Sequence, residues 1–181
     1  MSHSRDVSLV LTVIGDDRPG LVEQLATAIS QSQGNWLESS MSHLAGKFAG
    51  IVCVGVPATQ IVPLKTALAG LHGLRITAEV SEPAETAATK TGRRRLKLSL
   101  VGHDRIGIVR EVSQVLARHA VNVEELITHT ASAPMSAEIL FHATAELTAL
   151  PGLDARSLTE DLEHLSNDLM VDITLDETIR A

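Results

Sequence analysis

Two stretches of this chain carry the same residue types at the same spacing, VIGDDRPGLVEQL at 13–25 and LVGHDRIGIVREV at 100–112. Each sets a glycine, an acid–arginine pair and a second glycine just ahead of apolar residues at helical spacing, which predicts a glycine-bracketed turn that opens a helix. Such a helix N-terminus exposes unpaired N–H groups and about half a unit of positive charge, so it attracts a carboxylate. In the first turn Gly15 and Gly20 permit close backbone approach. Pro19 fixes φ near the helix start without wasting a donor, and Asp17 is placed to accept from first-turn amides. An amino acid could set its carboxylate on the amides around Gly20, Leu21 and Val22. Its ammonium would then need an acceptor, for which Asp16, Asp17, the loop carbonyls or the Asn35 amide are available. Arg18 joins them as a candidate contact, although Arg18 and Arg105 are each expected to be exposed or paired with a local carboxylate. In the second turn Ile106 replaces the proline and His103 replaces Asp16, so the pattern is weaker, and its candidates are His103, Asp104, Gly107 and Asn122. The same residues would also serve as a plain helix start: Asp as a cap, Gly for tight packing, Asn for a turn.

The elements that must position these turns repeat with a shift of 87 residues. Between positions 15 and 38, seven of 24 residues are identical in the shifted copy, including Gly15/Gly102, Gly20/Gly107 and Asn35/Asn122. Leu64, Leu68 and Leu71 match Leu158, Leu162 and Leu165 at a shift of 94, which predicts about seven extra residues around Leu150–Gly152. In the first copy, alternation predicts a strand from Val7 to Ile14. A helix follows to Gly34, whose missing Cβ suits a helix C-terminus. A hairpin is predicted from Asn35–Leu44 and Lys47–Pro57, then a helix over Gln60–His72 and a strand over Leu74–Val80. The second copy is predicted to have strands at 95–102, 122–131, 135–147 and 170–176 and helices at 107–119 and 155–167. The order is βαββαβ twice, an α+β class with ferredoxin-like domains. Each is expected to be a four-stranded antiparallel sheet with two helices on one face. We place the domains at 1–86 and 95–181, with a linker from 82 whose end is 87–94. Domains this small bury little surface, and their bare sheet faces and edge strands favour pairing between copies; a homodimer is expected.

The 181 residues are 44% hydrophobic, 20% charged and 2% aromatic, with a mean hydropathy of +0.15, which excludes a disordered chain. No apolar run reaches the 18–20 or so residues of a membrane span, and no secretory signal is evident; a cytoplasmic location is expected. The single cysteine, Cys53, excludes an internal disulfide and a Cys-rich metal site. The formal charge of −7 and the scarcity of aromatic rings disfavour direct nucleic-acid binding. Eight histidines form no metal motif, and neither a nucleophile elbow nor a phosphate-binding loop appears. No cofactor, metal or catalytic residue is expected.

DDRPGLVEQLATAISQSQGNW and HDRIGIVREVSQVLARHAVNV resemble the strand-to-helix signature of ACT domains. Two such domains filling a chain resemble the glycine cleavage system transcriptional repressor family. The resemblance implies a non-enzymatic, amino-acid-responsive regulator that binds a small amino acid, glycine being one candidate, at an interface between domains. It further implies repression through contact with a transcriptional activator, without a membrane or direct nucleic-acid role. The alternative is an ACT regulatory subunit acting in trans on an amino-acid-pathway enzyme. A third reading, the regulatory part of a phosphoserine phosphatase or formyltetrahydrofolate deformylase, lacks the catalytic domains.

Overall fold

A computed structural model describes residues 6–81, 92–133, 138–169 and 171–177. Most of the expected linker at 82–94 lies outside these residues, as do the first residues of the strand expected at 135–147. The chain divides into two compact units, Met1–Thr86 and Ala87–Ala181. The first contains β1 (Asp6–Asp16), α1 (Leu21–Gln31), β2 (Asn35–Leu44), β3 (Lys47–Pro57), α2 (Ile61–Ala69) and β4 (Leu74–Val80). The second contains β5 (Arg94–His103), α3 (Ile108–Arg118), β6 (Asn122–Ser132), β7 (Ile139–Ala149), α4 (Ala155–Leu169) and β8 (Val171–Glu177). The sheet orders are β2-β3-β1-β4 and β6-β7-β5-β8, and every pairing is antiparallel. This is the βαββαβ ferredoxin-like arrangement, twice.

Period-2 alternation turns Leu9, Leu11 and Val13 of β1 to the helices, where Leu25 and Ile29 of α1 and Leu64 and Leu68 of α2 complete one core. Leu96, Leu98 and Leu100 meet Val112, Leu116, Leu158 and Leu162 in the same way in the second unit. Both helices therefore lie on one face of each sheet, and the other face is left open.

Four local expectations are corrected. The strand β1 runs to Asp16, two residues past Ile14, because Gly15 and Asp16 pair with Phe48 and Lys47 on β3. The helix α1 ends at Gln31, and the left-handed residue after it is Gln33 (φ 55°), matched by Ala120 (φ 53°) in the second unit. Gly34 is needed for a different reason, since a Cβ there would lie 2.9 Å from both Cγ2 and the carbonyl oxygen of Ile29. The helix expected over Gln60–His72 is a 3₁₀ turn at Ala58–Gln60 followed by Ile61–Ala69, with Pro63 in the first turn where its missing N–H is not needed. Most of the second copy's extra length lies in the β6–β7 connection and not around Leu150–Gly152. Register equates Val10 opposite Cys53 with Lys97 opposite Glu146, so the offset has already reached 146 − 53 = 93 within β7.

The turn from β1 into α1 depends on a bare backbone at Gly15, where a Cβ would lie 2.1 Å from the Gly73 carbonyl oxygen. At Gly102, its counterpart, the obstacle is the side chain of Val171, with Cγ1 at 2.1 Å. Overpacking of this kind costs about 1–3 kcal/mol. Denaturant titration should show Gly15→Ala and Gly102→Ala each losing about that much, whereas Gly152→Ala, with nothing within 4 Å, should stay within about 0.5 kcal/mol of the parent.

The second unit also carries an acid-sensitive tie between α3 and α4. His119 Nε2 and Asp161 Oδ2 are 2.9 Å apart, with Arg118 Nη2 at 3.6 Å from the same oxygen. The His119 hydrogen bond, helped by the Arg118 charge, holds the Asp161 carboxyl below its ordinary value. A carboxyl depressed in the folded state stabilises the fold above the unfolded carboxylate pKa, about 3.9, and that contribution disappears as pH falls through the folded value. Urea titrations from pH 6 down to pH 2 should therefore show Asp161→Asn losing less stability with acid than the parent does.

Candidate functional site

Both sequence-predicted turns sit at the same place in their units, between the end of a central strand and the start of the following helix. The turns are tethered alike: the Asp17 N–H donates to the Gly46 carbonyl at 3.0 Å, and the Asp104 N–H donates to that of Ile139 at 3.0 Å. Each helix begins with a left-handed glycine, Gly20 at φ 90° and Gly107 at φ 100°, and neither receives a side-chain cap. Asp17 is thus not the cap expected from the sequence. The first N–H groups of α1, on Leu21, Val22 and Glu23, point out of the helix end with no capping side chain.

Around the first turn the polar side chains are already committed. Asp16 is ion-paired with Lys47, its partner in the β1–β3 register, and this bond holds its carboxyl below the usual range. Asp17 Oδ2 lies 3.9 Å from His43 Nε2. Arg18 reaches back to donate from Nη2 to the His72 carbonyl at 2.6 Å, which ties the turn to the start of β4. What remains is an open hollow of about 520 Å³, whose walls include the acidic residues Asp17 and Glu23 as well as Arg18, Leu21, Val22 and Phe48. Leu21 is buried and forms its floor, while Val22 is half exposed at the rim. The hollow offers backbone donors and an apolar ring beside charges of both signs, Arg18 against Asp17 and Glu23, a mixture that matches a small zwitterion with a short side chain.

The second turn differs in a residue that the sequence reading did not single out. Glu111, in the first turn of α3, folds back so that Oε2 accepts from Arg105 Nη2 at 2.9 Å and Oε1 lies 3.9 Å from Arg110 Nη2. It also crowds Gly107, lying 3.2 Å from where a Cβ would be. Glu111 thus sits beside Gly107, held by Arg105, without capping the helix. The counterpart at the 87-residue shift is the neutral Gln24, and that substitution is the signal by which the difference can be found in the sequence. His103 Nδ1 is 3.8 Å from Glu138 Oε2.

The two asparagines do not join their turns within a unit. Asn35 pairs with Gly55, which pairs with Ser8, seven residues along β1 from Gly15. At about 3.3 Å per residue that is roughly 23 Å, so Asn35 and the turn occupy opposite ends of the sheet. Asn122 is likewise level with Thr148 and Arg95, far from His103 and Asp104. Its amide donates to Glu124 Oε1 at 2.8 Å, and the same oxygen accepts from Thr148 Oγ1 at 2.6 Å. Among the described residues no group of three or more His, Cys, Asp or Glu side chains is placed to hold a metal, and no helix is long and apolar enough to cross a membrane.

The model for the ACT domain matches residues 8–81, which span β1 to β4. The crystal structure of an unknown protein from Galdieria sulphuraria is 30% identical over 96% of this chain and 99% of its own, with a TM-score of 0.82. The structure of a candidate glycine cleavage system transcriptional repressor is 20% identical over 97% of this chain and 99% of its own, with a TM-score of 0.71, a likeness of fold. None of the curated proteins matches the chain in sequence. The repeated βαββαβ unit, the glycine-started helices and these matches together make the chain a member of the ACT-domain family that carries two such units in tandem.

Proposed function

We propose that this chain is a non-enzymatic regulator that responds to a small amino acid, with glycine the leading candidate, and that it represses glycine cleavage genes by contact with a transcriptional activator. The observation that carries the reading is the uncapped start of α1 beneath an open hollow in a unit whose family senses amino acids. The likeness in fold to a candidate repressor of the glycine cleavage system supports the regulatory part. The ligand carboxylate accepts from the amides of Leu21, Val22 and Glu23, and the apolar rim of Val22 and Phe48 limits side-chain size. With Asp16 and Asp17 already facing Lys47 and His43, the ammonium is left to loop carbonyls or to a group from a neighbouring copy, and Asn35 can serve only in that second way. The second turn, with the Arg105–Glu111 pair beside Gly107, acts as a structural helix start.

A thermal-shift titration of the whole chain against the standard amino acids, glycine and serine first, tests this. A ligand at 100 times its dissociation constant adds about 2.7 kcal/mol, so the midpoint should rise by roughly 5–10 °C for a chain of this size. Gln24→Glu copies the second unit's carboxylate at this position and should abolish the rise while leaving the unliganded midpoint within about 2 °C of the parent. A flat response across the panel, or one that Gln24→Glu does not alter, would remove the sensing role from this turn. Pull-down from cells should retain a transcriptional activator; recovery of a metabolic enzyme instead would transfer the regulatory role to that enzyme.

A further inference from the structure

The two sheets differ, position by position, on the open face that turns away from the helices. In the first sheet the outward residues of the two central strands are Val10 beside Cys53, Thr12 beside Ile51, and Ile14 beside Ala49. The equivalent places in the second sheet hold Lys97 beside Glu146, Ser99 beside Thr144, and Val101 beside His142. The second face differs in carrying the Lys97–Glu146 charges on its central strands, although Val101 and, on β6, Ile127 are exposed there. The first carries no charge on its two central strands, its charges Glu38, Arg75 and Glu79 lying on the edge strands of these rows, and leaves Ile14 41% and Ile51 57% exposed. A sheet face with an uncharged centre and charges confined to its edge strands is the kind of surface that packs against another sheet about 10 Å away.

The charges bordering this face indicate what covers it. The edge strand β4 places Arg75 in the row of Ile14 and Glu79 in the row of Val10. Four residues apart on one strand, they stand roughly 13 Å from each other. Neither makes an ion pair or side-chain hydrogen bond with another described residue. A second copy laid face to face, about a two-fold axis running across the strands through Thr12, would set Arg75 of each copy over Glu79 of the other and Ile14 over Val10. A two-fold axis along the strands would instead set Glu79 over Glu38, which shares the row of Cys53, like charge on like.

We propose that the open face of the first sheet is the surface on which two copies of this chain meet, about a two-fold axis across the strands, with Arg75 and Glu79 as reciprocal partners. The face is separate from the hollow at the start of α1, so the proposal does not depend on ligand binding. Sedimentation equilibrium of the full chain tests it, with circular dichroism to verify the fold of each variant. The parent should be a reversible dimer. Arg75→Glu and Glu79→Arg should each weaken it by about tenfold or more, since each sets like charges together at both ends of the face. The double exchange should restore the parent constant to within about threefold. Thr12→Arg, at the exposed centre, should give a folded monomer, and Lys97→Glu on the second face should change nothing. A monomeric parent, a dimer indifferent to the single exchanges, or a double exchange that fails to restore association would each overturn the proposal.

Discussion

The fold turns on one steric constraint, the passage of a central strand into the first helix beside a neighbouring strand that leaves no room for a side chain. At Gly15 a Cβ would meet the backbone of Gly73, and at Gly102 it would meet Val171. Five residues later a second glycine takes the left-handed conformation that starts the helix, Gly20 in one unit and Gly107 in the other. Between them these two positions aim the helix across its sheet, so that Leu25 and Ile29 reach Leu9 and Leu11 and the core closes. They also leave the helix start without a capping side chain. The packing requirement and the exposed row of amides are therefore products of the same backbone path.

Given one backbone path, the two units have been decorated differently. Gln24 leaves the first helix start without a paired carboxylate at that position, while Glu111 is held beside the second by Arg105. Lys97 and Glu146 put charge on the central strands of the second sheet's open face, where Val10 and Cys53 leave those of the first uncharged. Both contrasts place the surfaces suited to binding on the first unit. The second unit instead gains internal ties, among them Arg94, which donates to Glu177 at 2.8 and 2.9 Å and to the Leu153 carbonyl at 2.9 Å. That bond holds the Glu177 carboxyl below its ordinary value and raises the Arg94 guanidinium.

Features set by local pattern were legible in the sequence. The hairpin Asn35–Leu44 and Lys47–Pro57 and the strand Leu74–Val80 appear with the expected bounds, because alternation and turn residues fix them. Features set by pairing between distant segments were not. That Asn35 lies at the far end of the sheet from Gly15 follows only from the combined β2–β3 and β3–β1 registers, which no local window contains. The same holds for Lys47 taking the Asp16 carboxylate. The extra length of the second copy was misplaced because aligning helices fixes its total and not where it enters; strand register locates it in the β6–β7 connection. Glu111 is a different case, since its distinction from Gln24 was present in the repeat but reads as an ordinary surface exchange until the side chain is seen folding back.

The claim that binding belongs to the amides of the first helix start is most directly tested by following backbone N–H resonances of the intact chain during titration with glycine and serine. Saturable shifts are expected at Leu21, Val22 and Glu23, with unmoved signals at Ile108, Val109 and Arg110 beside the Arg105–Glu111 pair. Shifts confined to the second helix start, or no saturable shift at either, would contradict it.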